Sequence, residues 1–122
     1  MLKDHFFTLN EVANSETGKT FHVSFNALHP IFQAHFAGNP VMPGACIVQM
    51  IKELAEDYIN TPLFISSVKK MKFLKVIDPL KNPEVTVQLT FTPIETGVIS
   101  IFSVISCGDD IFTKAILILN PI

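Results

Sequence analysis

The sequence predicts an α+β domain in which one long helix packs against a curved antiparallel sheet. Three observations lead to this fold class. An apolar segment begins at Gly44 and continues as an amphipathic one, which is typical of a helix. Segments with the pattern of β-strands lie on both sides of it, and short turns separate the later ones. The length of 122 residues suits a single domain, 1–122, with one core.

Two strands are predicted before the helix. Residues 5–12 are the first, and a turn at residues 14–18 leads to the second at residues 19–26. In the second strand Phe21, Val23 and Phe25 alternate with polar residues, which indicates a half-buried strand. Residues 27–36 are predicted to be irregular with at most a helical turn.

The helix is predicted to run from Gly44 to about Asn60, where Thr61 and Pro62 end it. Its first half is apolar on every side except at Gln49, and its second half is amphipathic. A helix that is apolar all round is normally buried all round. A single sheet cannot provide that much cover, so the pattern indicates a dimer.

Four further strands are predicted after the helix, at residues 64–76, 84–92, 98–107 and 111–119. The short turns between them indicate antiparallel neighbours. The last strand is apolar on both alternating faces around residues 115–119, so one face would cover the helix and the other would need a partner subunit.

Composition restricts the classes of function. Hydrophobic residues make up 48% of the chain and mean hydropathy is +0.41, yet no apolar run is long enough to span a membrane. The excess apolar surface is better explained by a subunit interface or an acyl-binding cavity. A net charge of −2 provides no general basic field for nucleic acid. The two cysteines form neither a disulfide framework nor a metal pair, and the N-terminus lacks the features of a signal peptide, so we expect a cytoplasmic protein.

The chemistry is predicted to lie between His35 and the start of the helix. The loop between them contains Gly38, Pro40 and Pro43, and the prolines prevent regular structure from running through it. Gly44 permits close approach of a substrate, and the first N–H groups of a helix carry partial positive charge. An imidazole that can accept a proton would therefore lie near N–H donors that can stabilise a carbonyl oxygen as it becomes negative.

These residues resemble the β-hydroxyacyl-acyl-carrier-protein dehydratases, which have the hot-dog fold. The similarity lies in the spacing H-F-x-G-x-P-x-x-P-G over residues 35–44, followed at once by the apolar helix. Lys72 and Phe73, followed by Pro79, are weakly similar to a second segment of the family.

The resemblance implies a homodimer, or an oligomer of dimers, with a sheet continuous across the interface. It implies a substrate carried as a thioester on acyl carrier protein or coenzyme A, and no metal or other cofactor. His35 would remove the C2 proton, and Gly44 would hold the thioester oxygen. Phe36, Gly38 and Ala45 would lie against the substrate.

One position departs from the family pattern. Gln49 stands where the family carries the Glu or Asp that helps the hydroxyl leave, and Glu53 stands one turn later, where a Gln is common. Either the acid has moved to Glu53, or the dehydratase activity is weakened or lost. The second hypothesis is favoured because Glu53 opens the polar half of the helix and is expected to face solvent. Gln49 could equally be a buried amide at the dimer interface.

We interpret the sequence as that of a dehydratase-type lyase for 3-hydroxyacyl thioesters in fatty-acid or related biosynthesis. A thioester hydrolase and a non-catalytic, carrier-binding subunit of a heteromeric dehydratase are the alternatives. Lys69, Lys70 and Lys72 form a basic stripe that could dock an acidic carrier protein or the pantetheine phosphate, although such a run is usually a solvated strand edge. Cys46 is interpreted as a packing residue.

Overall fold

A computed structural model of the chain describes residues 2–14, 18–34 and 42–122. The strands are β1 (Phe7–Asn14), β2 (Gly18–Phe25), β3 (Leu63–Phe73), β4 (Glu84–Glu95), β5 (Val98–Cys107) and β6 (Asp110–Pro121). The helices are α1 (Pro30–Ala34) and α2 (Gly44–Ile59). The predicted α+β class, the long helix and the strand count are confirmed.

All neighbouring strands in the sheet are antiparallel, as predicted, and their order is β1-β2-β4-β5-β6-β3. The strand that follows the helix therefore lies at the far edge, beside β6, while β4 takes the place next to β2. Strands β1 and β3 are the two edges of the described sheet. Nothing in the local pattern of β3 distinguishes an edge strand from a central one, so the sequence alone did not give this order.

Several strand ends differ from the prediction by two or three residues; β4, for example, continues to Glu95 and not only to residue 92. β1 begins at Phe7 because the residues before it form a turn, in which Asp4 has a φ of 68° and its N–H donates to the carbonyl oxygen of Phe7 at 2.6 Å. β3 ends at Phe73, and the chain leaves the sheet edge towards α2, where the N–H of Met42 donates to the oxygen of Ile77 at 2.8 Å. A local turn sets the start of β1, whereas the chain beyond β3 contacts the distant segment before α2.

The core lies between α2 and one face of the sheet. On α2 the buried apolar residues are Ile47, Met50, Ile51, Leu54 and Ala55. The strands contribute alternate residues to the same core, namely Phe21, Val23, Phe25, Val85, Val87, Leu89, Ile101, Ile105, Ala115, Leu117 and Leu119. Burying one such side chain contributes about 1.5–3 kcal/mol to the free energy of folding. The buried face therefore sets the rotation of α2 about its axis, and with it the direction in which the other faces point.

The apolar half of α2 is only partly covered within one chain. Ala45 is exposed, and Cys46 and Val48 are partly exposed. At the other end Asn60 takes the left-handed conformation, with a φ of 59°, and its N–H donates to the oxygen of Glu56, which ends the helix where the sequence predicts. Within the described ranges, no helix is both long and apolar enough to cross a bilayer.

Candidate active site

The N-terminus of α2 is built without a side-chain cap. Pro43 precedes the helix with extended backbone, and its carbonyl oxygen accepts the N–H groups of Cys46 at 3.0 Å and Ile47 at 3.1 Å. Gly44 and Ala45 occupy the first turn, where helix geometry provides no acceptor within the helix for their N–H groups. These donors, with the partial positive charge of the helix end, can hold an oxygen that becomes negative.

A pocket of about 290 Å³ opens at this helix end. One wall is the start of α2 with the residues before it, and the other is the connection between β3 and β4. Its lining residues are Met42, Pro43, Gly44, Ile47, Phe73, Lys75, Val76 and Ile77. The pocket is mostly apolar and has the helix N–H groups at its wall, which suits a thioester carbonyl attached to an apolar chain.

Phe73 lies directly against Gly44. A Cβ atom at Gly44 would be 3.0 Å from Cζ of Phe73, so the absence of a side chain allows the ring to approach the helix. Sequence reasoning did not assign Phe73 or Val76 to the site. The weak family similarity at Lys72 and Phe73 was the only signal that could have found this wall of the pocket.

Three predicted site residues, His35, Phe36 and Gly38, lie outside the described residues. Their predicted roles stay predictions. The structure does describe both ends of the loop that carries them: α1 ends at Ala34, and the chain continues in the pocket wall at Met42.

Glu53 is buried, with only 3% of its surface exposed, so the expectation that it faces solvent is wrong. Its carboxylate accepts the backbone N–H of Leu2 at 3.0 and 2.9 Å and that of Lys3 at 2.9 Å. Nε2 of Gln49 donates to Oε2 of Glu53 at 2.9 Å. The physical reason for the error is a contact across about 50 residues of sequence, since the N-terminal segment folds over this face of α2.

These contacts determine the charge of Glu53. Burial raises the pKa of its carboxyl group, but the hydrogen bonds from Leu2, Lys3 and Gln49 outweigh it, and the net result is a lowered pKa. The carboxylate is therefore ionised at neutral pH and acts only as an acceptor. Gln49 and Glu53 are in contact, as their spacing predicts. Neither side chain can donate a proton to a departing hydroxyl group, because one is an amide and the other is ionised.

The cysteine in the first turn of α2 is not activated. Burial raises the pKa of the Cys46 thiol, so the neutral form predominates. This agrees with its interpretation as a packing residue. Among the described residues, no group of three His, Cys, Asp or Glu side chains could hold a metal ion.

The lysine stripe lies on β3, and all of its members are exposed. Lys70 and Lys72 are opposite Ile116 and Lys114 of β6, on the face of the sheet that points away from α2. A groove of about 200 Å³ there is lined by Lys70, Lys72, Phe102, Lys114, Ala115 and Ile116. The structure thus adds Lys114 to the predicted cluster and leaves Lys69 outside the groove. We call the six lining residues the outer groove.

Comparison with known protein families shows to which family this chain belongs. The sequence model of the ApeI-like family, described as ApeI dehydratase, matches residues 11–114. The chain belongs to this family. The predicted resemblance to hydroxyacyl-carrier-protein dehydratases is confirmed.

Relatives and solved structures agree with this placement. A 3-hydroxyacyl-acyl-carrier-protein dehydratase FabZ of Caldicellulosiruptor saccharolyticus is 32% identical over 85 residues, which are 61% of this chain and 59% of that protein. The chain therefore spans about three fifths of this relative's length.

Two solved structures show the fold. The dehydratase heterocomplex ApeI:P from Xenorhabdus doucetiae matches with a TM-score of 0.67 at 15% identity, covering 93% of this chain and 96% of that one. Thioesterase HI1161 from Haemophilus influenzae matches with a TM-score of 0.63 at 15% identity, covering 97% and 80%. The predicted hot-dog fold is confirmed.

The lowered pKa of Glu53 predicts how stability depends on pH. Because the pKa of Glu53 is lower in the folded state than that of an ordinary glutamate carboxyl, the ionised form stabilises the fold above the ordinary pKa, and this contribution is lost as the pH falls through the folded-state pKa. Urea unfolding of the wild type and of Glu53→Gln should differ most at pH 7, and the difference should shrink below about pH 4. A difference that does not change over this range would contradict the ionised carboxylate.

Proposed function

We propose that this chain removes water from 3-hydroxyacyl thioesters, with the substrate carried on acyl carrier protein or coenzyme A, in the biosynthesis of fatty-acid or related acyl chains. The observation that carries the proposal is the uncapped first turn of α2 beside an apolar pocket. Its N–H donors suit the thioester oxygen, and the pocket suits the acyl chain. The family to which the chain belongs supports the reaction class.

In this mechanism His35 removes the C2 proton, and the N–H groups of Gly44 and Ala45 stabilise the negative charge that moves onto the thioester oxygen. The C3–O bond then breaks, and the departing hydroxyl needs a proton to leave as water. Gln49 can orient this hydroxyl but cannot protonate it, and Glu53 is ionised. The imidazolium of His35 holds the proton just removed and can return it to the hydroxyl.

The first test is turnover of purified protein on 3-hydroxyacyl and 2-enoyl thioesters. Reversible hydration is expected, and His35→Ala should lower kcat by about 10²–10⁴-fold, the usual effect of losing a general base. The melting temperature should change little. Release of free thiol without hydration would instead support the thioester hydrolase.

A second candidate function is a subunit of a heteromeric dehydratase. It is favoured by the polar pair on α2, which presents an amide and an ionised carboxylate where a proton donor is needed. A partner chain with a carboxylic acid at the equivalent position would supply the proton. The ApeI:P dehydratase is itself described as a heterocomplex.

Gln49→Glu distinguishes a missing acid from a complete site. The new carboxyl group would lie against Glu53, and two carboxylates at about the 2.9 Å of the present contact cannot both ionise easily, so they would share a proton. If the site lacks an acid, turnover should rise, by at most about 10²–10⁴-fold. Gln49→Met, of similar size without the carboxyl, is the control. Unchanged or reduced turnover in Gln49→Glu would show that the present residues suffice.

We also propose that two copies pair through β3. This edge strand exposes apolar side chains, among them Phe64 and Val68, and such an edge is a template for pairing with another strand. Pairing there would extend the sheet and bring a second chain towards the partly covered half of α2.

Sedimentation velocity at micromolar concentration should show a dimer, or a larger assembly of dimers. Val68→Lys should shift it towards the monomer, because Val68 is 48% exposed on the proposed interface. Val12→Lys is the matched control, since Val12 is 42% exposed on the other edge strand and should not affect assembly. Equal effects of both substitutions, or a monomeric wild type, would contradict pairing through β3.

The outer groove is the proposed docking surface for the carrier. Lys72 and Lys114 lie directly opposite each other on β3 and β6, and like charges in this position destabilise a sheet. Among the described residues, the ion pairs involve other lysines, Lys3 and Lys75. Unpaired positive charge beside apolar Phe102 and Ile116 is complementary to an acidic, partly apolar carrier surface.

Reversal of one charge tests this docking. Lys114→Glu should raise KM for carrier-bound substrate and leave KM for the pantetheine thioester unchanged, because only the first includes the protein surface. Lys81→Glu, an equal charge change at an exposed position in the β3–β4 connection, is the control. An equal rise in KM for both substrates would place the effect at the reaction site instead. A cytoplasmic location, consistent with two free cysteines, completes the proposal.

A further inference from the structure

The amide of Gln49 has only one orientation that fits its neighbour. An ionised carboxylate can only accept hydrogen bonds, so the NH₂ group of Gln49 must face Glu53, as observed at 2.9 Å. The carbonyl oxygen Oε1 lies in the same plane on the opposite side of the Cγ–Cδ bond, so it points away from Glu53. Gln49 is partly exposed, whereas Glu53 is buried, so a substrate could approach the amide but not the carboxylate.

The carboxylate is in turn held by the first residues of the chain. Residues 2–6 form a compact turn, in which the N–H of Phe6 donates to the oxygen of Leu2 at 2.7 Å. We call these residues the N-terminal hook. The backbone N–H groups of Leu2 and Lys3 donate to Glu53, and Nζ of Lys3 pairs with Asp57, one turn further along α2, at 2.6 Å.

The other end of the hook is attached to α1. The buried ring of Phe6 stacks on Phe32 with ring centroids 4.9 Å apart and lies edge-on to His29 at 5.3 Å. The carbonyl oxygen of Phe6 also accepts the N–H of Asn26 at 2.8 Å. The hook therefore contacts both the Gln49 face of α2 and the helix that directly precedes His35 in sequence.

We infer that Glu53 is a positioning residue, which acts through Gln49: held by the N-terminal hook, it fixes the amide so that Oε1 accepts the hydrogen bond of the substrate's 3-hydroxyl. This inference rests on the proposed function. The two residues of the Gln-x-x-x-Glu pair then have different roles. The buried carboxylate of Glu53 orients the amide of Gln49, and the amide contacts the substrate. Because the hook also holds α1, the orientation of the amide is coupled to the segment that leads to His35.

The test compares Glu53→Gln with Glu56→Gln. Glu56 lies on the same helix, and its carboxylate also accepts a backbone N–H, that of Leu63 at 2.8 Å, but it does not contact Gln49 among the contacts described. We expect Glu53→Gln to lower kcat by about 10- to 100-fold, the size of effect that a misplaced group can cause, and Glu56→Gln to change kcat little. The inference would be overturned if both variants lost kcat equally and in proportion to their loss of stability.

A double-mutant cycle shows whether Glu53 acts through Gln49. In a Gln49→Leu background, Glu53→Gln should have no further effect on kcat, because the amide it orients is already gone. An undiminished effect in that background would overturn the inference. If Glu53→Gln does not fold, Glu53→Asp replaces it, since the shorter carboxylate keeps the charge but draws back from the amide.

A spectroscopic readout separates this inference from the proposed function. In ¹⁵N–¹H spectra the side-chain NH₂ of Gln49 should show the downfield shift of a charge-assisted hydrogen bond, lost in Glu53→Gln and retained in Glu56→Gln. If the shift is present and the protein has no dehydratase activity, the proposed function fails while the orientation stands. A Gln49 resonance that is the same in all three proteins would overturn the orientation itself.

Discussion

The burial of one face of α2 against the sheet is the constraint on which the rest of the structure depends. Ile47, Met50, Ile51 and Leu54 are removed from water together with alternate residues of the strands. Once this face is fixed, the position of every other residue on the helix follows from its period. Gly44 is placed at an open end beside the pocket, and Gln49 and Glu53 are placed one above the other on a second face.

The second face contains a buried carboxylate, Glu53, which is stabilised by hydrogen bonds from the N-terminal hook. A carboxylate buried without partners would cost several kcal/mol, so Glu53 requires donors. They come from backbone N–H groups that are among the first in the chain and from the amide of Gln49. The same contacts lower the pKa of the carboxyl, and so the group that stabilises the fold here is also one that cannot donate a proton.

The family and the local structure thus give complementary information. Membership of the ApeI-like family gives the fold and supports the class of chemistry proposed for this chain. The sequence predicts that the order of Gln49 and Glu53 departs from the family pattern, and what this order does in the folded chain depends on hydrogen bonds that a comparison of sequences does not include. A Glu at position 53 can be an acid, a solvated side chain or a buried anchor, and each implies a different site.

By itself the sequence determined the element types, the helix from Gly44 to its end near Asn60 and the inward face of β2, because hydrophobic period and helix-ending residues are local signals. It also carried the motif over residues 35–44 from which the resemblance to the dehydratases was predicted. Only the tertiary structure decided that β3 lies at the sheet edge, that Phe73 packs on Gly44, that Lys114 joins the lysines of β3 and that Glu53 is buried. Each of these depends on residues far apart in the chain, and the pattern within one segment contains no information about which distant segment will cover it.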